Sequence, residues 1–268
     1  ATALNVFFAI KNSNQYHDAE IYAIGSDENC ALACLAKKFT KFNKINDPNY
    51  ISSILKLCIK DDIKIVIPIH SQELLLFSKN KNLFLKSGVE VLCSNYESIT
   101  KFSSKKEMDQ FAVANKFPII PSLKKDKLIK FPIYCKPVEG SSARGHSILY
   151  DRQDYENMLS KSGKKEFIFQ EYIKADEITV DAYRSYFTGE TFAIPRWRLR
   201  IQDGKATSTR SFYDKEVIDL TSKILERAKY YGPSNLQFFK RNDQLILIEV
   251  NARMSAGGLP LAVKCGLN

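Results

Sequence analysis

The chain has 268 residues, of which 44% are apolar, and a formal net charge of +10. This size and composition predict a sizeable core divided among about one to three domains. No apolar run approaches the roughly eighteen residues of a transmembrane helix. The lysines are dispersed and no helix-turn-helix or RNP pattern occurs, so we expect neither nucleic acid nor a membrane as a partner.

The cysteines are scattered and form no CxxC pair, and the chain has only three histidines. A zinc site is therefore not expected. Free, buried thiols in a reducing cytoplasm are the simplest interpretation. The cysteines are Cys30, Cys34, Cys58, Cys93, Cys135 and Cys265.

The first part of the chain alternates strand-like and helical segments. Residues 1–17 fit a strand or an amphipathic helix, Ile21–Ile24 predicts a strand, and IKIVIPI and VEVLCS predict two more. YISSILKLCIKDDI predicts a helix between them, as does QELLLFSKNKNLFLKSG. The apolar face expected for the first of these helices comprises Ile51, Ile54, Leu55, Cys58 and Ile59. Alternation of this kind favours a parallel sheet covered by helices, and the absence of GxGxxG argues against dinucleotide binding.

After a linker near residues 95–102, Ser103 or Ser104 is expected to cap a helix. A hairpin then follows, with strands at Ile133–Lys136 and Ser147–Tyr150 around a loop of small residues. Backbone N–H groups in such a loop suit the oxygens of a polyphosphate, and Lys136 would add a positive charge. An ordinary hairpin with a solvated lysine is the alternative.

Further strands are predicted at Phe167–Phe169 and Ile178–Tyr183, followed by a hairpin that turns at Asp203 and Gly204. Because side chains alternate along a strand, three arginines lie on one face of this hairpin and two apolar residues lie on the core side. The arginines suggest an anionic ligand. The arginines are Arg196, Arg198 and Arg200, and the apolar residues are Trp197 and Leu199.

The stretch LILIEVNARMSAGG predicts a buried strand with a polar end. Side chains alternate across a strand, so Glu249, Asn251 and Arg253 would share one face. Carboxylate and amide oxygens are hard ligands for Mg²⁺, and an adjacent arginine can neutralise a phosphoryl group. An edge strand with a solvated polar face is the alternative.

The ordered set of a lysine, a glycine loop, QEYI…DE, NLQF and EVNAR resembles the ATP-grasp superfamily. The resemblance is to the branch related to the large subunit of carbamoyl phosphate synthetase, which includes many carboxylate–amine ligases. It implies an α/β fold that becomes α+β towards its C-terminal part, with a Rossmann-like pre-ATP-grasp domain over residues 1–98. A two-lobed ATP-grasp fold would follow, with the small lobe at 99–172 and the C-terminal lobe at 173–268. We expect a strand to be missing upstream and the C-terminal lobe to be truncated.

The resemblance also implies site residues. Adenine would be read by Gln170, Glu171 and Ile173, and the ribose hydroxyls by Glu177. The triphosphate would contact Lys105, Lys136 and the loop Glu139–Gly145, in which Gly140, Ser141, Ser142 and Gly145 are the small residues. The metal ligands would be Gln237, Glu249 and Asn251, and the catalytic residues Arg253, Lys136 and Arg198.

The implied function is an ATP-dependent ligase that joins a small carboxylate to an amine through an acylphosphate, with ATP and Mg²⁺ (or Mn²⁺) as cofactors. Relatives often dimerise, so a homodimer is a candidate assembly. A regulatory or scaffold protein that binds ATP in a decayed site is the alternative. It is suggested by the expected missing elements at both ends and by Gln237 in place of an acid. His70 and Ser71 stand where many relatives carry an acidic residue, which puts any role of that loop in question.

Overall fold

The computed structural model describes residues 2–42, 44–123, 130–138, 145–163, 166–202, 205–241, 244–255 and 257–264. The helices are α1 (Thr2–Lys11), α2 (Ala31–Leu35), α3 (Tyr50–Lys60), α4 (Ser71–Lys86), α5 (Tyr96–Thr100), α6 (Lys105–Ala114), α7 (Arg152–Ser162), α8 (Lys215–Arg227) and α9 (Leu259–Lys264). The strands are β1 (Tyr22–Gly25), β2 (Lys38–Lys41), β3 (Ile65–Val66), β4 (Glu90–Val91), β5 (Ile133–Pro137), β6 (Ser147–Leu149), β7 (Phe167–Glu171), β8 (Asp176–Arg184), β9 (Thr191–Gln202), β10 (Lys205–Ser211), β11 (Gly232–Arg241) and β12 (Gln244–Asn251).

The strands of the N-terminal part are parallel, as expected, but they form two separate pairs, β1–β2 and β3–β4. Residues 1–17 begin with a helix, α1, rather than a strand. IKIVIPI contributes only Ile65 and Val66 to a strand. Strand β2 was not predicted, because it lies in a lysine-rich segment that continues the helical pattern of α2.

Helix α3 buries a narrower stripe than its apolar residues suggest. Tyr50, Ile54 and Cys58 are buried at intervals of four residues, whereas Ile59 is 60% exposed. The expectation for Ile59 is therefore wrong, because the neighbouring elements cover only one side of this helix. The segment expected to be a linker contains α5, which Asn95 caps by accepting a hydrogen bond from the Ser98 N–H.

A small antiparallel sheet with the strand order β6-β5-β7 follows α6. Helix α6 begins at Lys105 because the Ser104 hydroxyl accepts a hydrogen bond from the Glu107 N–H, which confirms the predicted cap. One face of the small sheet forms a separate core. This core contains Ile133, Cys135, Leu149, Tyr155 and Phe169.

The largest sheet is five-stranded and antiparallel, in the order β10-β9-β8-β11-β12. Helix α8 covers one face and buries Val217, Ile224 and Leu225. It is fixed to the sheet through its cap residue Asp214, whose carboxylate lies 2.6 Å from the Lys240 Nζ of β11. The other face is polar.

Leu199, Cys30 and Cys34 were expected to be buried, and the structure differs for all three. Trp197 packs on the core and stacks on Phe212 at 4.7 Å between ring centroids, but Leu199 is 56% exposed because the core ends before this part of β9. Cys30 and Cys34 are exposed rather than buried, whereas Cys58, Cys93 and Cys135 are buried. All five are free thiols, and Cys265 lies outside the described residues.

The helices in the described ranges include none that combines the length and apolarity needed to cross a membrane. The described ranges also hold no cluster of three or more His, Cys, Asp or Glu side chains that could bind a metal ion.

Two leucines of α4 provide a matched test of the core. Leu74 is 4% exposed and Leu85 is 62% exposed. We expect Leu74→Ala to lower the free energy of unfolding by about 2–5 kcal/mol, because it leaves a cavity in the core. Leu85→Ala should change it by less than about 0.5 kcal/mol. Urea denaturation of both variants measures the difference, and equal losses would contradict this packing.

Candidate active site

The register of β8, β11 and β12 gathers polar side chains on the face of the five-stranded sheet opposite α8. Gln237 lies between Thr179 on β8 and Glu249 on β12. In the next row, Asn235 lies between Asp181 and Asn251. Since alternate residues of a strand share a face, Glu177 continues the polar face of β8.

A register shift between Gln237 and Phe238 changes which β12 side chains point to each face of the five-stranded sheet. Gln237 is opposite Glu249, but Phe238 is opposite Leu247, so β12 contains one extra residue there. As a result Leu247 and Val250 are both buried in the core while Glu249 remains on the polar face. The β12 strand is an edge strand, as the alternative held, but Glu249 and Asn251 are half-buried rather than fully solvated.

Arg198 on β9 connects two of the predicted site residues. Its Nη1 lies 2.5 Å from a carboxylate oxygen of Glu177 and donates to the Gln237 Oε1 at 3.2 Å. The Arg198 side chain is only 7% exposed. Arg198 therefore contacts one residue predicted for the nucleotide and one predicted for the metal, through a partly buried ion pair and a hydrogen bond.

The donor set of Gln237, Glu249 and Asn251 consists of one carboxylate and two amide groups. Mg²⁺ commonly keeps several waters and takes only one or two protein carboxylates together with substrate phosphates. The set therefore fits a magnesium ion that is shared with a nucleotide. It does not form an all-protein cage, in agreement with the absence of an acidic cluster in the described ranges.

Lys105 and Lys136 both lie near the Glu249 carboxylate. Lys105 is the first residue of α6, and Lys136 lies on β5 and is 5% exposed, which rules out the solvated lysine of the alternative. Burial lowers the pKa of both lysines, and the Glu249 carboxylate partly offsets this for each. Both cations therefore lie within electrostatic range of Glu249.

Asp109 is a site residue that sequence reasoning missed. It lies one helical turn after Lys105 on α6, and its carboxylate is the largest charge acting against the burial of Lys136. Burial raises the pKa of Asp109, and Lys136 and the Ser122 hydroxyl lower it. The i, i+4 spacing from Lys105 was the available signal.

The Tyr134–His146 pair was also missed. The Tyr134 hydroxyl and the His146 Nδ1 share a hydrogen bond of 2.6 Å, and the two rings meet edge to face. Burial raises the pKa of Tyr134 to about 12, with smaller contributions from Glu177 and Glu249. Tyr134 is thus within electrostatic range of both carboxylates, and its position two residues before Lys136 on β5 was the signal.

The predicted adenine residues lie at the end of β7. The Gln170 side chain is buried and its Nε2 donates to the Ile120 carbonyl at 2.6 Å, which leaves its Oε1 as an acceptor. Glu171 is the last residue of β7 and pairs with Ile133. Within the described ranges the Ile173 N–H makes no hydrogen bond, so it can serve as a donor.

Arg253 lies just beyond β12. Its Nη2 is 3.4 Å from the Asn251 Oδ1, and its Nε donates to the Ser71 hydroxyl at 3.2 Å. It therefore joins the end of β12 to the start of α4 in the N-terminal part.

Of the predicted phosphate loop, Gly140, Ser141 and Ser142 lie outside the described residues. Gly145 has a positive φ of 76°, a conformation that favours glycine.

Two family models match the chain. Residues 5–92 match "PylC-like, N-terminal domain". Residues 163–268 match "ATP-grasp in the biosynthetic pathway with Ter operon".

Two curated relatives are similar in sequence. The carbamoyl phosphate synthase large chain of Clostridium beijerinckii is 28% identical over 148 residues, which are 50% of this chain and 14% of that protein. The formate-dependent phosphoribosylglycinamide formyltransferase of Prochlorococcus marinus is 25% identical over 267 residues, which are 93% of this chain and 67% of that protein.

A solved structure shows the same fold at low identity. It is the biotin carboxylase domain dimer of the Hydrogenobacter thermophilus 2-oxoglutarate carboxylase, in complex with MgADP, ADP and bicarbonate. The TM-score is 0.76 at 15% identity, and the match covers 96% of this chain and 63% of that one. The C-terminal part of the chain is thus similar to ATP-grasp proteins, its sequence is similar to that of the carbamoyl phosphate synthase large chain, and the fold is that of the biotin carboxylase domain.

Proposed function

We propose that the chain is an ATP-dependent ligase that joins a small carboxylate to an amine and releases ADP and phosphate. The observation that carries this proposal is the closeness of opposite charges from different elements of the fold. Lys105 on α6 and Lys136 on β5 both lie within electrostatic range of Glu249 on β12, and Tyr134, two residues before Lys136, lies within range of Glu177 and Glu249. Such a group of charges suits a triphosphate with its metal ion.

In this proposal the nucleotide lies between the two sheets. The Gln170 Oε1 and the Glu171 carbonyl accept from the adenine amino group, and the Ile173 N–H donates to a ring nitrogen. Glu177, oriented by Arg198, accepts from the ribose hydroxyls. Lys105, Lys136 and the loop at 139–145, with Gly140, Ser141, Ser142 and Gly145, bind the phosphates.

Glu249, Asn251 and Gln237 would hold Mg²⁺ or Mn²⁺, which supplies charge neutralisation at the phosphates when it is bound. Asn251 and Gln237 already accept hydrogen bonds from arginines, which fixes the direction of their amide oxygens. This arrangement orients neutral ligands beside the single carboxylate.

The reaction would proceed in two displacements. An oxygen of the substrate carboxylate attacks the γ-phosphorus, and the bond to the β–γ bridging oxygen breaks, which releases ADP and leaves an acylphosphate. The amine nitrogen then attacks the acyl carbon, phosphate leaves, and the amine loses a proton. Arg253 and Lys136 face the negative charge that develops on the transferred group, so the chain acts by positioning and electrostatics.

The partners in this proposal are small molecules, and the site is expected to work in the cytoplasm. A homodimer is the proposed assembly, and the Hydrogenobacter neighbour, described as a dimer, supports it.

Substitution of Glu249 and Lys136 tests this function. ADP release is measured with Mg²⁺ and ATP across a panel of amino acids, small carboxylates and amines. We expect Glu249→Gln and Lys136→Met to lower the stimulated rate by about 10²-fold or more, because each removes a charge that faces the triphosphate. Glu226→Gln, at an exposed position of α8, is the matched control.

Full turnover in Glu249→Gln would contradict the assignment. Tight ATP binding by the wild-type chain with no ADP release for any substrate pair would instead favour the regulatory alternative.

The pH dependence of stability tests the surroundings of the Tyr134–His146 pair. Burial lowers the pKa of His146 to about 4 from its ordinary value of 6.5, and Lys105 and Lys136 add to the shift. The unfolded chain therefore binds a proton at this residue at a higher pH than the folded chain does. The stability that depends on neutral His146 is fully present above pH 6.5 and is lost as the pH falls towards 4.

His146→Gln should lose this dependence. We expect its urea midpoint to fall less than that of the wild type when the pH is lowered from about 7.5 to about 5. Equal losses in both proteins would contradict a neutral, buried His146.

A further inference from the structure

A buried polar network lies on the sheet beside the proposed metal ligands. The Arg196 Nε is 2.7 Å from the Asp181 Oδ2, and the Asn235 Nδ2 donates to the Asp181 Oδ1 at 2.7 Å. Arg196 is 3% exposed and Asp181 is 7% exposed. Asp181 is therefore fully engaged from both neighbouring strands, β9 and β11.

The network continues into the segment after β12, residues 252–258, which we call the post-strand segment. The Arg196 Nη2 donates to the Ser255 hydroxyl at 3.3 Å, and the same hydroxyl accepts from the Gly258 N–H at 3.0 Å. The segment also touches the network directly, because a Cβ at Gly258 would lie 1.7 Å from the Asp181 Oδ2. Only glycine permits this approach, so the segment rests on the Asp181–Arg196 pair at two points.

The post-strand segment begins within the proposed active site. It contains Arg253, which contacts the proposed metal ligand Asn251. Asn251 in turn lies opposite Asn235, the second partner of Asp181. A displacement of the segment would therefore move Arg253 relative to the phosphoryl group that it is proposed to face.

Stability alone is a weak explanation for this network. A buried ion pair often contributes no more than apolar residues of similar volume would, because both charges lose their hydration. Arg196 carries a further cost, since its Nη1 is buried and has no hydrogen-bond partner among the residues that the structure describes. What an apolar replacement could not provide is the directed bond from the guanidinium to Ser255.

We propose that Arg196 is a positioning residue, which holds the post-strand segment through Ser255 so that Arg253 faces the transferred phosphoryl group. This proposal rests on the proposed ligase function, and it deepens the account of the same site. Arg196 itself need not touch the substrate. It acts through the segment, with Asp181 fixing the orientation of its guanidinium.

Amide hydrogen exchange of the peptide that covers 252–258, measured by mass spectrometry, tests the tether without any substrate. We expect Arg196→Met to speed exchange of this peptide by about five- to tenfold, as the loss of one hydrogen bond would. Ser255→Ala should speed exchange at least as much, because it removes both the bond from Arg196 and the acceptor of the Gly258 N–H. Arg210→Met, at an exposed arginine of the neighbouring strand β10, should leave it unchanged. Arg196→Lys, which keeps a charge beside Asp181, replaces Arg196→Met in this comparison if Arg196→Met does not fold.

Kinetics separate positioning from stability. Arg196→Lys keeps a charge beside Asp181, so we expect a Tm close to that of the wild type. A single ammonium lacks the fork that joins Asp181 and Ser255. We therefore expect kcat for ADP release from MgATP to fall by about 10²-fold while KM for ATP changes by less than about twofold.

Unchanged exchange in Arg196→Met, or in Arg196→Lys if Arg196→Met does not fold, would overturn the proposal, and so would a wild-type kcat in Arg196→Lys. A wild-type chain that binds MgATP but releases no ADP would refute the ligase function instead. The exchange measurement would still show whether the tether exists.

Discussion

The site depends on opposite charges that different elements of the fold bring close together. Lys136 is almost completely buried on β5, and Lys105 begins α6, so both cations lose much of their hydration. Asp109 is the main carboxylate that offsets this loss for Lys136, and Glu249 on β12 contributes to both lysines. Two partly dehydrated cations near the proposed metal-binding carboxylate suit a magnesium-bound triphosphate, which would replace the lost water.

The five-stranded sheet makes this possible because its two faces have different characters. One face packs on α8, and the other carries the polar rows of β8, β11 and β12. The bulge opposite Phe238 keeps Glu249 on the polar face while Leu247 and Val250 are buried in the core. Arginines from β9 then fix the polar face in two places. Arg198 orients Glu177 and Gln237, and Arg196 orients Asp181 and Ser255.

Local patterns in the sequence predicted the elements that carry the site. The Ser104 cap, the hairpin around Lys136 and the polar end of β12 all follow from capping and from the period of two. The exposure of Ile59 and Leu199 could not be predicted, because it depends on which neighbours cover a helix or a strand. The electrostatic interaction of Asp109 with Lys136 and the hydrogen bond between Tyr134 and His146 join residues whose partners are fixed by tertiary packing. The roles of the site residues come from the family resemblance and stay predictions.

The location of a bound nucleotide tests the central claim most directly. A crystal structure with Mg²⁺ and a non-hydrolysable ATP analogue should show adenine at Gln170–Ile173, ribose at Glu177, and the phosphates and metal between Lys105, Lys136 and Glu249. A nucleotide bound away from these residues, or a metal ion that does not contact Glu249, would contradict the account.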